Sequence, residues 1–262
     1  MLLLKKPIIV FVLILISFSF LRFFRFMWNS SLSLAPPSVP NPATPPHPPH
    51  RRVEETLTPK EHRLLSNVIS QRAPCNLLFF GFSLQFLPLA ALNSQGTTIF
   101  LEDDPEKLRV GRSKGLRMHL YEHHERASKA YELLRHARGE PACRPSSAID
   151  EASAGCKLAL RGLPKEVHET QWDAVVVDGP IGDRAEAPGR MGAIYMAAVF
   201  ARRRGADVLV HDTDRSIEKW YSWEFLCHEN LVSSKGNLWH FRIAGNSSSG
   251  ERFCEDLASP IQ

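Results

Sequence analysis

Four short segments of the chain carry side chains whose types could do chemistry, and each follows a run of apolar residues. They occupy positions 81–83, 102–104, 178–180 and 211–214. Short apolar runs that alternate with helical segments are typical of parallel strands buried on both faces. Ligands of such sheets bind beyond the carboxyl ends of the strands. We therefore expect the four segments to meet at one edge of a sheet.

The first two segments contain residues that could hold a nucleotide-like cofactor. Gly81 lets a ligand approach the backbone after one strand, and Glu102 can accept hydrogen bonds from ribose hydroxyls after the next. This pairing suits S-adenosylmethionine or a dinucleotide, with Gly81, Ser83 and Glu102 as the candidate cofactor-binding residues. The first turn reads Gly-Phe-Ser, however, and has one glycine where cofactor turns usually have two or three. The alternative is an ordinary strand-to-helix turn and a solvated acidic loop.

The other two segments bring acids and a histidine to strands that should be neighbours. Asp178 and Asp212 could bind a divalent metal ion beside His211, because hard cations prefer carboxylate oxygens as ligands. A metal ion there would polarise a sugar hydroxyl before it attacks a methyl group. Without a metal ion, Asp178 or His211 could act as the general base. The alternative is structural, with Asp178 capping the following loop and Asp212 paired with Arg215.

Arg190 is the candidate substrate-binding residue. It lies in a Pro-Gly-Arg-Met segment that opens a helical pattern opposite the predicted strand ends. A guanidinium in that place could bind the carboxylate of an acidic sugar through two hydrogen bonds. The alternative is a turn followed by a surface arginine.

The elements that must position these residues alternate along the chain between strands and helices. Continuous apolar runs predict strands at 76–80, 97–101, 118–121, 172–177, 206–210 and 238–243, the last of them at an edge of the sheet. Helical patterns occupy 59–70, 84–92, 126–138, 190–204 and 217–227. The first helix has start signals in Thr58 as N-cap, Pro59 at N1 and Glu61. The alternation predicts an α/β fold with a doubly wound, mostly parallel sheet.

The N-terminal part of the chain does not have the pattern of a folded domain. Residues 1–6 form a short tail, and residues 7–28 are an apolar run that ends in aromatic and arginine residues. We interpret this run as a transmembrane signal anchor, although a cleaved signal peptide has a similar pattern. Residues 29–56 contain a proline-rich stretch that suits an extended stem. The globular domain is predicted at 57–244, followed by a flexible tail at 245–262.

Charge and cysteine content narrow the partners and the compartment. A net charge of +4 favours an acidic polymer or an anionic membrane surface and is too small to indicate nucleic-acid binding. The five cysteines include no Cys-x-x-Cys pair, which argues against a structural zinc site. Disulfides are permitted in an oxidising compartment, and Cys143 with Cys156 is the first candidate pair. The odd count leaves at least one thiol free or intermolecular, and buried reduced cysteines are the alternative.

Seven segments of the chain resemble one known family. They are PCNLLFFG at 74–81, GTTIFLED at 96–103, CKLAL at 156–160, WDAVVVDGP at 172–180, APGRMGAIY at 187–195, DVLVHD at 207–212 and EFLC at 224–227. Together they resemble the plant polysaccharide-biosynthesis domain family from about position 57 to 243. That family contains glucuronoxylan 4-O-methyltransferases, arabinogalactan methyltransferases and irregular xylem 15-like proteins.

The resemblance implies a single-pass type II Golgi membrane protein whose lumenal domain has a Rossmann-like methyltransferase fold. It implies S-adenosylmethionine as cofactor, an acidic cell-wall polysaccharide such as xylan as substrate, and other xylan biosynthesis proteins as partners. The methyltransferase branch carries Gly-Leu-Gly where this chain has Gly-Phe-Ser at 81–83, and the irregular xylem 15-like branch departs at the same place. We expect an O-methyltransferase acting on glucuronic acid side chains. The alternative is a non-catalytic scaffold or glycan-binding component of the xylan synthesis machinery.

Overall fold

The structure is a computed structural model that describes residues 56–122, 125–145, 155–245 and 252–254. The predicted cytosolic tail and membrane anchor, and the predicted stem up to residue 55, lie outside the described residues. Within the described part of the chain, no helix is both long enough and apolar enough to cross a membrane. The organisation of the N-terminal segment therefore stays a prediction.

A seven-stranded sheet forms the centre of the domain. Its strands are β1 (Asn76–Phe80), β2 (Thr97–Glu102), β3 (Arg117–Leu120), β4 (Ala174–Val177), β5 (Gly205–Val210), β6 (Leu231–Lys235) and β7 (Leu238–Ala244). Their order is β3-β2-β1-β4-β5-β7-β6, with β1 to β5 parallel and β7 antiparallel to both of its neighbours. The strand order reverses between β1 and β4, and open α/β sheets bind their ligands at such a point. The predicted α/β fold with a doubly wound, mostly parallel sheet is confirmed.

Helices cover both faces of this sheet. They are α1 (Pro59–Arg72), α2 (Leu87–Leu92), α3 (Pro105–Ser113), α4 (Ala130–Gly139), α5 (Lys165–Glu169), α6 (Met191–Arg204) and α7 (Ser216–Phe225). Residues of α1, α2 and α3 pack with Leu77 and Phe79, whereas residues of α4 to α7 pack with Leu78 and Phe80. Successive strand residues point to opposite faces, so a strand covered on both sides must be apolar throughout. This is why the central strands are continuous apolar runs in the sequence.

The first helix begins as the sequence predicts. Thr58 is its N-cap and Pro59 follows at the first position. The Thr58 side chain accepts a hydrogen bond from the backbone of Glu61, and the Glu61 carboxylate accepts one from the Thr58 backbone N–H at 2.6 Å. This reciprocal capping box fixes the start of α1. The helix ends at Arg72, two positions beyond the prediction.

The sheet differs from the prediction at its antiparallel end. The strand predicted at 238–243 is not at an edge, because β7 lies between β5 and β6. The sequence does not predict the true edge strand, β6, since its residues read Leu-Val-Ser-Ser-Lys and lack a continuous apolar run. It also does not predict α3, in which only Leu108 and Gly111 are buried, or the short α5, in which only Val167 is buried. All three missed elements have too few apolar residues for a clear periodic pattern.

Disulfides tie two loops to the helical layer that contains α4, α6 and α7. The bond between Cys143 and Cys156 confirms the candidate pair. Among the described cysteines, Cys75 is the free one, and burial raises the pKa of its thiol to about 11. A thiol that is protonated at neutral pH is a poor nucleophile, so Cys75 is a core residue.

Residues 252–254, inside the predicted flexible tail at 245–262, are held against the domain. Cys254 is buried and forms a disulfide with Cys227, which follows α7. The neighbouring Phe253 packs its ring 5.1 Å from that of Phe225. Its backbone carbonyl accepts a hydrogen bond from the buried side chain of Arg202 at 2.8 Å. The sequence could not reveal this pairing, because cysteine spacing alone does not determine connectivity.

Candidate active site

The strand ends lie side by side, as the sequence predicts. Val177 pairs with Phe80 of β1 on one side and with Val210 of β5 on the other. The ladder continues by one step, because the His211 backbone N–H donates to the Val177 carbonyl at 3.0 Å. Asp178 and His211 are therefore direct neighbours at the carboxyl edge of the sheet.

Two glycines bring the backbones of β1 and β4 into contact at the point where the strand order reverses. Gly81 has a φ of +95°, a conformation that L-residues with side chains rarely adopt. A Cβ atom on Gly81 would lie 2.7 Å from the backbone nitrogen of Gly179, and one on Gly179 would lie 2.6 Å from the Gly81 Cα. Neither position has room for a side chain. Ser83 follows in a half-buried position and does not cap the short 3-10 turn that begins at Leu84.

Glu102 lies beside this turn, as predicted, but its carboxylate is already engaged by the protein. One oxygen accepts the Phe82 backbone N–H at 2.7 Å, and the other accepts the N–H groups of Asp103 and Asp104, both at 3.0 Å. The residue is 3% exposed. Burial raises the pKa of Glu102 to about 7, although the hydrogen bond from Asp104 opposes this shift. Glu102 therefore holds the first turn in place and titrates near neutral pH.

Asp178, His211 and Asp212 form a cluster at the ends of β4 and β5. His211 Nδ1 lies 2.8 Å from Asp178 Oδ1 and 3.3 Å from Asp212 Oδ1. Burial alone would lower the pKa of His211, but the hydrogen bond to Asp178 and the charges of both carboxylates outweigh it and raise the pKa. A cationic imidazole is therefore favoured between the acids. Asp178 is the most accessible of the three, with a side chain that is 11% exposed.

The backbone at Asp212 is in an unusual conformation. Its φ is +60°, in the left-handed region that few residues other than glycine adopt. The conformation turns its carboxylate back towards the cluster, where it lies 2.7 Å from the Arg190 guanidinium and 3.2 Å from that of Arg215. The predicted pairing of Asp212 with Arg215 is therefore present. Such backbone outliers concentrate at functional sites.

Arg190 lies at the strand ends, but its position differs from the predicted substrate clamp. Its side chain is 4% exposed and points into the protein. The guanidinium donates to the backbone carbonyls of Pro180 at 2.8 Å and His211 at 3.0 Å, and it pairs with Asp212. It also lies 3.6 Å from Asp178. Arg190 thus ties the loops after β4 and β5 together, and its donors face the protein rather than a substrate.

This arrangement does not fit the predicted metal site. One ligand atom from each of Asp178, His211 and Asp212 lies within 4.8 Å of the others, which is the spacing that a metal ion needs. The charges of these carboxylates are already balanced, however. The Arg190 guanidinium pairs with Asp212, and His211 Nδ1 is hydrogen-bonded to Asp178 Oδ1. A second cation would have to displace these partners from a buried site, at a large electrostatic cost. The cluster is an ion-pair network in this fold.

Glu61 is a site neighbour that sequence reasoning treated only as a helix cap. Its carboxylate oxygen Oε2 lies 3.7 Å from His211 Nε2, on the side of the imidazole opposite to Asp178. A position in the first turn of a helix gives no sign of this contact, since the two residues are far apart in the chain.

A small cavity lies at the N-terminus of α6. Gly189 and Met191, the residues on either side of Arg190, are part of its wall. Glu125 and Lys157 also line it, so the wall includes one acidic and one basic residue. Asp178, His211 and Asp212 are not among its lining residues.

The chain belongs to the IRX15/IRX15L/GXM family, whose model matches residues 60–241. The match covers all the strand ends described above. It confirms the family that the segments at 74–227 resemble.

Named relatives include both enzymes and proteins without an activity in their names. Arabinogalactan O-methyltransferase 2 of Arabidopsis thaliana is 42% identical over 72% of this chain and 68% of its own length. Glucuronoxylan 4-O-methyltransferase 1 of the same plant is 37% identical, covering 77% and 73% respectively. Protein IRREGULAR XYLEM 15 is 35% identical, covering 74% and 63%. Among solved structures, a methyltransferase-like protein from Silicibacter pomeroyi aligns over 72% of this chain and 88% of its own, with 13% identity and a TM-score of 0.40.

Proposed function

We propose that this protein is an S-adenosylmethionine-dependent O-methyltransferase that modifies glucuronic acid side chains of a cell-wall polysaccharide, xylan or a related glycan. The observation that carries the proposal is Asp178, a partly accessible carboxylate held at the point where the strand order reverses, between Gly81 and His211. The names of the relatives support methyl transfer and a polysaccharide acceptor.

The residues at the ends of β1 and β2 fit such a cofactor. Gly81 and Gly179 pack against each other at the reversal point, and ligands of open α/β sheets bind beyond the strand ends at such a point. Glu102 lies at the next strand end, and a carboxylate that accepts two or three amide hydrogen bonds still has acceptor capacity for a hydroxyl. Gly81, Ser83 and Glu102 would hold the cofactor. When bound, S-adenosylmethionine supplies a methyl group activated by its sulfonium charge.

Asp178 is the residue placed to handle the acceptor proton. Asp178 would accept the proton of the sugar hydroxyl as that oxygen takes up the methyl group that the bound cofactor supplies. Asp178 Oδ1 faces His211, which leaves Oδ2 for the acceptor. His211 then holds the base in position through its contact with Oδ1 and stabilises the carboxylate charge. His211 itself is 4% exposed and acts through Asp178.

Two further features support a lumenal domain. The Cys143–Cys156 and Cys227–Cys254 disulfides suit an oxidising compartment. The predicted anchor at 7–28 and stem at 29–56 suit a type II Golgi membrane protein with its domain in the lumen. Protease treatment of sealed Golgi vesicles should leave the domain intact until detergent is added, and digestion without detergent would refute the lumenal placement.

The turn after β1 supports a second candidate function. Both Glu102 oxygens accept backbone amides, and Phe82 is buried where the cofactor turn would open. A closed turn favours a non-catalytic scaffold or glycan-binding component of the xylan machinery, with other xylan biosynthesis proteins as partners. The two functions differ in whether the turn at 81–83 can open to admit the cofactor.

The deciding experiment is calorimetric binding of S-adenosylmethionine and S-adenosylhomocysteine to the purified full-length chain. Micromolar binding supports the enzyme, and transfer of labelled methyl groups to unmethylated glucuronoxylan and arabinogalactan then identifies the acceptor. Asp178→Asn should abolish transfer in a protein that still folds and binds the cofactor with unchanged affinity. A folded chain that binds neither compound would refute the methyltransferase and favour the scaffold.

A further inference from the structure

Glu61 is a buried acid that contacts the Asp178 cluster through His211. It lies on α1, and its side chain is 2% exposed. Its oxygen Oε1 accepts the backbone N–H of Asn237 at 2.6 Å, and Oε2 accepts that of Thr58 at 2.6 Å. Burial alone would raise the pKa of Glu61, but these hydrogen bonds outweigh it and lower the pKa, so the carboxylate stays ionised.

The ionised carboxylate faces one end of the His211 ring. Glu61 Oε2 is 3.7 Å from His211 Nε2, while Asp178 Oδ1 is 2.8 Å from Nδ1 at the other end. A cationic imidazole carries a proton on both nitrogens, so each carboxylate attracts one of them. With an acid at each end, the ring has one favoured orientation, and Nδ1–H points at Asp178.

The β6–β7 turn closes around the same contact. The Asn237 carbonyl accepts hydrogen bonds from the backbone and side chain of Thr213, two residues after His211. Gly236, at a φ of +58°, leaves room for the acid, because a Cβ atom there would lie only 2.4 Å from Glu61 Oε1. Glu61 is therefore locked between its own helix cap and this turn, and it cannot drift from His211.

We propose that Glu61 is a positioning residue for the methyl transfer, holding His211 so that the imidazole in turn holds Asp178 against the acceptor hydroxyl. This inference rests on the proposed function, and it assigns a role in that reaction to a helix that contributes no other group to the site. Outer carboxylates that orient metal-bound histidines account for about 10–100-fold in metal affinity or activity, and we expect an effect of the same order for Glu61.

The test compares Glu61→Gln with Arg72→Gln in the full-length chain. The first variant removes the charge next to His211, and the second breaks the Arg72–Asp207 ion pair at the far end of the same helix. We expect Glu61→Gln to lower kcat about 10–100-fold with KM values within twofold of wild type. Arg72→Gln should keep wild-type kcat even where it lowers the melting temperature. A folded Glu61→Gln variant with kcat within twofold of wild type would overturn the proposal.

Two further measurements keep the proposal testable. If Glu61→Gln does not fold, Gly236→Ala retains the charge but presses on the carboxylate, and it should lower kcat without raising KM; unchanged kcat overturns the proposal. If the wild type transfers no methyl group, the proposed function fails first. The imidazole ¹⁵N resonances of His211, assigned by their loss in His211→Gln, then decide the positioning role. They should change in Glu61→Gln and not in Arg72→Gln, and resonances that are equal in wild type and Glu61→Gln refute it.

Discussion

Replacing Arg190 by glutamine should unfold the domain at a much lower temperature rather than weaken substrate binding. The guanidinium is buried and makes short contacts to Pro180, His211 and Asp212. Glutamine cannot reach all three, so two backbone carbonyls lose their donors and the Asp212 carboxylate loses its principal counter-charge. The loops after β4 and β5 are then no longer joined.

The size of the effect follows from the burial of the ion pair. Removing one partner of a buried pair costs about 3–5 kcal/mol, because the other charge is left uncompensated. For a domain of roughly 200 residues, each kcal/mol lowers the melting temperature by about 2–4 °C. The Arg190→Gln variant should therefore melt about 6–20 °C below wild type. The melting temperature of Arg190→Lys should lie between those of wild type and Arg190→Gln, since a lysine restores the charge but not the planar set of donors.

Thermal unfolding of the full-length protein, followed by circular dichroism, measures this shift. Arg204→Gln is the matched control, because Arg204 is an exposed arginine at the other end of α6. That variant should melt within about 2 °C of wild type, as most surface substitutions do. An Arg190→Gln protein that melts with wild type but has a raised KM for an acidic acceptor would refute the structural role. That result would instead support the substrate-binding role that the sequence predicts for Arg190.

Three other perturbations should have measurable effects. Because burial raises the pKa of Glu102 to about 7, S-adenosylmethionine should bind about tenfold more tightly at pH 8 than at pH 6, and Glu102→Gln should remove this dependence in calorimetry. Hydrogen bonds from His240, Arg242 and Arg72 outweigh burial and lower the pKa of Asp207 to about 2. Its contribution to stability is therefore present above the unfolded pKa of 3.8 and is lost as the pH falls towards 2. Asp207→Asn should accordingly lose about 2 kcal/mol at pH 7 in urea unfolding, with a difference that vanishes near pH 2. Replacing Cys143 and Cys156 together by alanine should lower the free energy of unfolding by about 2–3 kcal/mol, because the bond closes a loop with a sequence separation of 13.

Each of these predictions has a result that would contradict it. Glu106→Gln, an exposed change on α3, should leave the pH dependence of cofactor binding intact, and a Glu102→Gln protein that also keeps it would remove Glu102 from the cofactor site. Asp183→Asn is the corresponding exposed control for Asp207. An Asp207→Asn protein as stable as wild type at pH 7 would show that the three donors contribute nothing net. An unchanged unfolding free energy in the alanine pair would show that the bond contributes no net stability.

Four of the parallel strands, β1, β2, β4 and β5, could be predicted because they are buried on both faces and are mostly apolar, as this environment requires. β3, at the edge of the sheet, has one buried residue, Met118, and a weaker pattern. The antiparallel end does not follow from the same reasoning. β7 contains His240 and Arg242 among its apolar residues, and its place between β5 and β6 depends on a hairpin whose outer strand, Leu231–Lys235, is mostly polar. A polar edge strand has no pattern that distinguishes it from a loop.

Arg190 shows why the site could be predicted only in part. The sequence places it correctly at the N-terminus of α6, opposite the strand ends, but a residue's position in the chain does not give the direction of its side chain. That direction depends on two carbonyls, at Pro180 and His211, which need donors because the loops that contain them pack against each other. Backbone groups have the same chemistry at every residue, so no residue type marks them as partners. The same holds for Glu61, whose second role depends on a backbone N–H in a turn that lies 176 positions away. The contact between Asp178 and His211 can be inferred because they follow neighbouring strands, whereas contacts that depend on distant backbone groups require the three-dimensional structure.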